Sequence, residues 1–593
     1  PVPPRSHLTS AVARASIDID RRPQLDLATL MSLPSRDLDA PMPRLARLRP
    51  TLLLLLALGC GPSDRAGGGT VIIASPADTE TLIPALRTTV TGRMVTELLF
   101  DQLIELGPTL NPFGDAGFEP RLAARWSWDS DSLALAMTLD DDARWHDGRP
   151  VVAADVVTGY RVIMDPTNGS PIRSEITDLD SVTVRDERTA VLHFKSRTAE
   201  PFVTAAAVVP LPSHLIDTIP AGALATSAFA QQPVGSGRYR LVAREPKART
   251  EFAAVTDHYR GRPGPDRLAL VVAPDPATGI AKLWAEEADV WDNLPPTEVA
   301  AAAAHPQVRL IQAAGWDYTF IAFNYRDPSD TARAHPLLAD HAMRAALSHA
   351  VDREQLVRAL FDTLARPLLG PFVRAQFTAD TTLAPPAFDT TAANRLLDSL
   401  GWTARDRAGI RRRGGRPLRL RALVPAPSAN RVRASVLVQE QLRRVGVDLV
   451  IEKLEGQAFG AARDAGTFDL VFHGVGTTPS VRGLRTTWAS RTPAGNGRLN
   501  AGNFRDTTVD ASLEAGLTAL DPERTRTQIR TAYRRVIDDA AAIWLYEPVQ
   551  VAGVHRRFVT PAWRSDAWWR TIGEWRLDPA ATRLARDARP TAP

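Results

Sequence analysis

Residues 434–455, ASVLVQEQLRRVGVDLVIEKLE, decide the fold class. Up to Val445 the apolar side chains recur at helical spacing, with Ala434, Val438, Leu442 and Val445 on one face. Gly446 then supplies the backbone conformation at which helices stop. From Val447 to Ile451 apolar residues alternate in the period of a strand. A helix that ends on glycine and feeds a strand is the repeating unit of an α/β protein. Asn394–Leu400 followed by Gly401 repeats the punctuation, and Asp352 with Gln355 three residues on makes a capping-box-like start for a helix over 355–361. This alternation predicts sheets covered by helices, and no fixed-period repeat argues for a solenoid.

Toward the N-terminus the pattern changes. Thr70–Ser75 (TVIIAS) is a short β-rich run, and the spacing over Val90–Leu106 predicts one helix. Between Trp126 and Phe194 strand-like alternation at Leu133–Leu139 is followed by a turn at Asp147-Gly148, a helix over Ala153–Met164 and strands near 181–184 and 190–194. That stretch predicts a self-contained α+β subdomain. Gly235 and Gly237 are expected to permit a tight turn before a strand over Arg238–Leu241. A chain of 593 residues exceeds one hydrophobic core, which stops growing at roughly 250–300 residues; two or three domains are expected.

The composition is that of an ordinary globular chain, 44% hydrophobic and 23% charged. Its net charge of +4 comes from arginines interleaved with Asp and Glu, with no long basic run, so nucleic acid is not an expected partner. Cys60 is the sole cysteine, which excludes a disulfide within the chain and a cysteine-based structural metal site.

From Met42 the chain reads MPRLARLRPTLLLLLALGC: three arginines, an apolar run from Leu52 to Leu58, then Gly59 and Cys60. This is the layout of a secretory signal peptide over 42–59, and its apolar run is too short to span a membrane. The ending Leu-Gly-Cys resembles a bacterial lipobox, although Ala57 and Leu58 depart from its commonest form. The resemblance implies a lipidated Cys60 and membrane attachment. Residues 1–41 read as a non-native upstream extension, and 60–69 (CGPSDRAGGG) as a flexible tether.

Six ordered segments carry a wider resemblance: FEPRLAARWSW (118–128); ARWHDGRPVVAADVV (143–157); PVGSGRYRL (233–241); FNYRDP with MRAALSHAVDREQL (323–328, 343–356); VQEQLRRVGVDLVIEKLE with GTFDLVF (438–455, 466–472); and AAIWLYEPVQVAGV (541–554). Each alone is scaffold. In this order the set resembles the extracytoplasmic solute-binding proteins of ABC importers, family 5, which include oligopeptide, dipeptide and nickel binders. The resemblance implies an α/β, two-lobed periplasmic-binding-protein-like fold with a hinge of two crossing strands and an additional α+β subdomain. Residues 70–117, 230–315 and 541–593 would form lobe I, 118–229 its subdomain, and 316–540 lobe II. It also implies an extracytoplasmic monomer that binds a small solute, peptide by default, without a cofactor, and hands it to permease and ATPase subunits.

Two departures stand out. Val152 occupies a helix-cap position where the family usually has Ser or Thr, which predicts a missing side-chain cap. The loop His473–Trp488, HGVGTTPSVRGLRTTW, lacks the carboxylate that commonly pairs with a peptide's α-amino group. A peptide in another register, a sugar stacked on aromatics, a metal chelate, and a receptor-like lipoprotein that senses without import therefore stay open. His473 and Thr477 in that loop, Trp488 at its end, Trp316, Tyr318 and Asn324 around the strand entering lobe II, and Thr88, Thr89 and Arg93 after the first strand are the expected solute contacts, against packing roles for each. His341 and His349 are eight apart, about 80° out of phase on a helix, and so poor metal co-ligands. No G-x-S-x-G, H-E-x-x-H or G-x-x-x-x-G-K-[ST] is present, so an enzyme is not expected.

Overall fold

The computed structural model describes residues 68–492 and 497–587; the expected upstream extension and signal peptide, Cys60 and most of the expected tether lie outside them. The run TVIIAS does form a strand, Thr70–Ser75, buried at every position, as expected where a parallel strand is covered on both faces. It pairs in parallel with Arg267–Val272, which continues through the antiparallel strands Arg249–Ala254 and Tyr239–Glu245. A second group of strands runs in the order Asp448–Leu454, Arg419–Pro425, Leu470–Gly476, Asp317–Phe323, its first three members parallel.

One strand joins the two groups. Ala542–His555 pairs at its beginning with Asp317–Phe323 and Ala365–Pro367, and at its end with Val290–Trp291 and Val308–Ala314. The result is a single twelve-stranded sheet shared by two lobes. The chain crosses a second time at Gly315-Trp316, between the strands Val308–Ala314 and Asp317–Phe323. Gly315 lies against the Pro548 carbonyl, where a Cβ would collide. Crossovers at Gly315-Trp316 and Glu547-Pro548 thus run side by side.

Helices cover the sheet as their apolar faces dictate. The helix Ala429–Arg444 stops at Gly446, whose φ is +87°, and leads into the strand Asp448–Leu454. Gly401, φ +82°, ends the helix Thr390–Ser399 in the same way. Arg353–Phe361 is capped by Asp352, whose carboxylate accepts from the Gln355 N–H at 2.9 Å.

The stretch 123–194 forms a separate antiparallel sheet, ordered Ala123–Trp128, Ala134–Leu139, Thr189–Phe194, Leu179–Asp186, with the helix Ala153–Met164 beside it. Its buried side chains merge with those of the first lobe in one core. Val152 gives this helix no side-chain cap, but Asp155 reaches back to accept from the Val152 N–H at 2.9 Å and from the Trp145 indole at 2.9 Å. Half of a capping box therefore survives the missing hydroxyl.

Two expectations are corrected. The helix beginning at Val90 ends at Leu99, and Ile104–Leu106 is a short strand paired with Phe118–Pro120. Leu103 and Ile104 kept the apolar spacing going, yet Phe100 is extended and the next amide is taken by the Ser236 hydroxyl at 3.1 Å. Gly235 and Gly237 do not adopt positive φ. They are small because the Leu99 carbonyl passes where the Cβ of Gly235 would be and the Leu98 carbonyl where that of Gly237 would be, while the Leu99 carbonyl accepts from the Gly237 N–H at 2.8 Å.

Candidate functional site

The registers define where the lobes offer a site. In the first lobe Trp291 pairs with Gly553 while the Leu294 amide reaches the Val551 carbonyl, so the carboxyl end of this strand and of its parallel neighbour Thr70–Ser75 point toward Pro548. In the second lobe Asp317 pairs with Gly476, which places the carboxyl ends of Leu470–Gly476 and its parallel neighbours at the same crossovers. Ligands of open α/β sheets bind in the crevice outside the carboxyl ends of the strands. Here two such edges converge on Gly315–Asp317 and Glu547-Pro548.

Trp316 and Thr477 meet at this edge. The Trp316 carbonyl accepts from the Thr477 N–H at 2.6 Å and its hydroxyl at 2.7 Å, and the Trp316 indole donates to the Ser565 hydroxyl at 3.0 Å. Beside them Asp317 is exposed, and among the described residues its carboxylate makes neither ion pair nor hydrogen bond. Gly476, directly opposite, leaves that carboxylate uncovered; a Cβ there would stand 3.1 Å from Asp317 Oδ1. Gly474, one pair along the same face, makes room for the Arg431 guanidinium, 3.1 Å from its would-be Cβ. Below, Glu547 accepts from the Arg374 N–H at 2.9 Å and from the Arg374 guanidinium, which bolts one crossover to the loop after Gly370.

The other expected contacts of the second lobe are packed inside it. Tyr318 and Trp488 are buried in the second lobe, the indole donating to the Tyr318 hydroxyl at 3.1 Å and packing on Phe320, Trp544 and Phe504. Asn324 is fully buried: its amide donates to the Gly466 and Phe468 carbonyls, both at 2.9 Å, while its oxygen accepts from Arg326 N–H and Asn503. Those bonds consume its polar capacity. His473 faces Phe320 edge-on at 5.5 Å, and burial, reinforced by Arg463 and Arg431, pushes its pKa down to about 4. In the first lobe Thr89 caps the helix Val90–Leu99, and Thr88 and Thr89 together hold the Glu80 carboxylate through their amides and hydroxyls. Arg93 pairs with Glu97 at 2.9 Å over the Trp569 ring.

What sequence reasoning missed is the contact between lobes. Glu200, at the start of the helix Pro201–Ala207 and 1% exposed, accepts from the Val481 N–H at 2.8 Å and the Ser480 hydroxyl at 2.6 Å. Arg482 lies 3.2 Å from the same carboxylate and 2.9 Å from Asp178, and donates to the Glu175 carbonyl at 2.8 Å and the Thr204 hydroxyl at 2.7 Å. Burial pushes the Glu200 carboxyl up from its ordinary value, against Arg482, Ser480 and Val481, which pull it down. Phe113 and Phe377 add an edge contact at 5.9 Å. The loop without the amine-pairing carboxylate is thus the loop that clasps the opposite lobe.

Comparison with known proteins agrees with this architecture. The profile of the bacterial extracellular solute-binding proteins, family 5 (middle), matches residues 117–496. The chain belongs to that family. A Brucella ovis protein named as an ABC transporter peptide-binding protein is 26% identical over 411 residues, 68% of this chain and 74% of its own. The di/tripeptide-binding protein 2 of Pseudomonas aeruginosa is 24% identical over 447 residues, 71% and 79% of the two chains. Among solved structures, NikA from Brucella suis in complex with Fe(III)-EDTA superposes with a TM-score of 0.75 at 19% identity, and the oligopeptide-binding protein AppA from Bacillus subtilis in complex with a nonapeptide with 0.68 at 20%. Each covers 86% of this chain, and 100% and 99% of its own; at these identities they establish the two-lobed fold. This family 5 protein is therefore an extracytoplasmic solute-binding protein. Among its described residues no helix is long and apolar enough to cross a membrane.

Proposed function

We propose that this solute-binding protein captures a short peptide between its lobes and delivers it to the permease of an ABC importer, with Asp317 as the partner of the peptide's α-amino group. One observation carries the reading: a carboxylate without ion pair or hydrogen bond among the described residues stands at the carboxyl edge of the second lobe, opposite Gly476, beside the loop that supplies none of its own. Trp316 and Thr477 would frame it, and Thr88, Thr89 and Arg93 are the proposed contacts of the facing lobe. A solute touching both lobes only when they are closed shifts their equilibrium toward the closed form by its differential affinity. The segments 70–117, 230–315 and 541–593 would move as one lobe with the subdomain 118–229, and 316–540 as the other. The peptide-binding relatives in the family support this choice of solute. Binding proceeds without turnover, from a monomer held at the membrane by lipid on Cys60.

Native mass spectrometry of protein purified without denaturation identifies the bound solute, and Asp317→Asn tests its anchor. A co-purified short peptide whose retention is lost in the variant is the expected result. A sugar or a metal chelate in the complex, or undiminished peptide affinity after the substitution, rejects the reading. A bound peptide at about 100 times its Kd adds about 2.7 kcal/mol of stability, so a thermal-shift screen reports the same answer.

A further inference from the structure

A second carboxylate stands without a cation near the crossovers, this time in the first lobe. Asp292 follows the strand Val290–Trp291 at its carboxyl end, level with Ser75 in the register that pairs Ile73 with Val290. Gln550, two residues past Pro548, donates its side-chain amide to the Asp292 carbonyl at 3.2 Å and ties this edge to the crossover. One carboxylate oxygen, Oδ2, accepts from the Trp568 indole at 2.9 Å. The other meets no donor among the described residues, and it is not sealed from solvent. The segment that carries Trp568 also reaches the other crossover, where Ser565 accepts from the Trp316 indole at 3.0 Å. Burial pushes the Asp292 carboxyl up, the Trp568 indole and its own amide pull it down, and no charged neighbour takes part. A carboxylate this enclosed is as a rule paired, because an ion withdrawn from water without a counter-charge is costly. The chain supplies Asp292 with none among its described residues.

We infer, on the reading that Asp317 holds the α-amino group, that Asp292 selects solutes with a second cationic group, so that the preferred peptide carries a basic side chain at its second or third residue. The strand registers give the spacing. Thr319 pairs with Tyr546, which puts Asp317 level with Pro548, and Trp291 pairs with Gly553, which puts Asp292 level with Ala552. Four residues along the strand Ala542–His555 span about 13 Å. A basic side chain on the first residue keeps its cation too close to the α-amino group for that distance. An extended peptide advances about 3.5 Å per residue, and a lysine or arginine at the second or third position covers the rest with its stem. The competing role for Asp292 is a neutral, protonated acid that only holds the Trp568 indole. Such an acid does not tell a cation from an uncharged side chain of the same shape.

Isothermal titration calorimetry on the full chain, freed of co-purified solute, tests this with the tripeptides Ala-Lys-Ala and Ala-Ala-Lys, each against its norleucine counterpart, which keeps the stem and lacks the ammonium. The wild type should bind at least one lysine peptide roughly ten- to a hundredfold more tightly than the matching norleucine peptide, the effect of one charge-assisted bond. Asp292→Asn, whose side-chain oxygen can still accept from Trp568, should erase that preference and leave the norleucine peptides bound as before. Asp317→Asn should weaken lysine and norleucine peptides alike. Equal affinities of the wild type for both kinds of peptide, or a preference that survives Asp292→Asn, overturns the role of Asp292 and leaves the peptide reading standing. If Asp292→Asn does not fold, the comparison of peptides on the wild type decides. Failure of all four peptides to bind rejects the peptide reading, and the selection by Asp292 falls with it.

Discussion

His473 shows how burial changes what a side chain can do. An exposed imidazole titrates near pH 6.5, whereas the ring against Phe320 takes its proton only near pH 4. The unfolded chain therefore binds the proton first as the pH falls, and stability is whole above about pH 6.5 and lost progressively between 6.5 and 4. With about 1.4 kcal/mol per pKa unit, the loss is on the order of 3 kcal/mol when complete. Urea unfolding at pH 7 and pH 4.5 should show the wild type losing more stability than His473→Gln; parallel losses would mean that the ring is not held neutral. Trp488 makes a second test at this scale. Buried against Phe320 and Trp544, it should cost about 3–5 kcal/mol when replaced by alanine, read by denaturant unfolding. A variant of normal stability with weakened solute binding would instead make it a wall of the cleft.

At the scale of elements, glycines do two different jobs. Gly446 and Gly401 stop helices because their φ values of +87° and +82° suit only a residue without Cβ, a task visible in the local pattern. Gly315 has no such φ; its smallness lets one crossover lie against the Pro548 carbonyl of the other. Gly315→Ala should force the crossovers apart and destabilise the fold by about 1–3 kcal/mol, seen as a lower Tm. An unchanged Tm would show that the crossovers have slack. The same contrast explains the helix at Val90, whose apolar spacing ran on past Leu99 although the Ser236 hydroxyl, distant in sequence, claims the next amide.

For the molecule as a whole, the clasp between lobes is the testable unit. Glu200 and Arg482 are 3.2 Å apart with Glu200 buried, so they should behave as a coupled pair. Glu200→Ala and Arg482→Ala should each destabilise, and the double-mutant cycle should return a coupling of about 1–3 kcal/mol. Small-angle scattering on Arg482→Ala should show a larger radius of gyration as the lobes part. Additive energies with unchanged scattering would mean that the clasp does not hold the lobes together.

The sequence by itself determined the alternation of helices and strands and the family, because helical and strand periods and capping residues depend on neighbours a few positions away. Most of the site was not legible in this way. Tyr318, Trp488 and Asn324 carry the residue types of a pocket, yet tertiary packing engages their polar atoms inside the second lobe. Asp317 follows Trp316 in plain view, but that its carboxylate makes no ion pair or hydrogen bond among the described residues is a property of the neighbouring strand, where Gly476 stands opposite. Glu200 meets Val481 across 281 residues. Only the folded chain decides such pairings, because burial and charge compensation are set by whatever the sheet brings alongside.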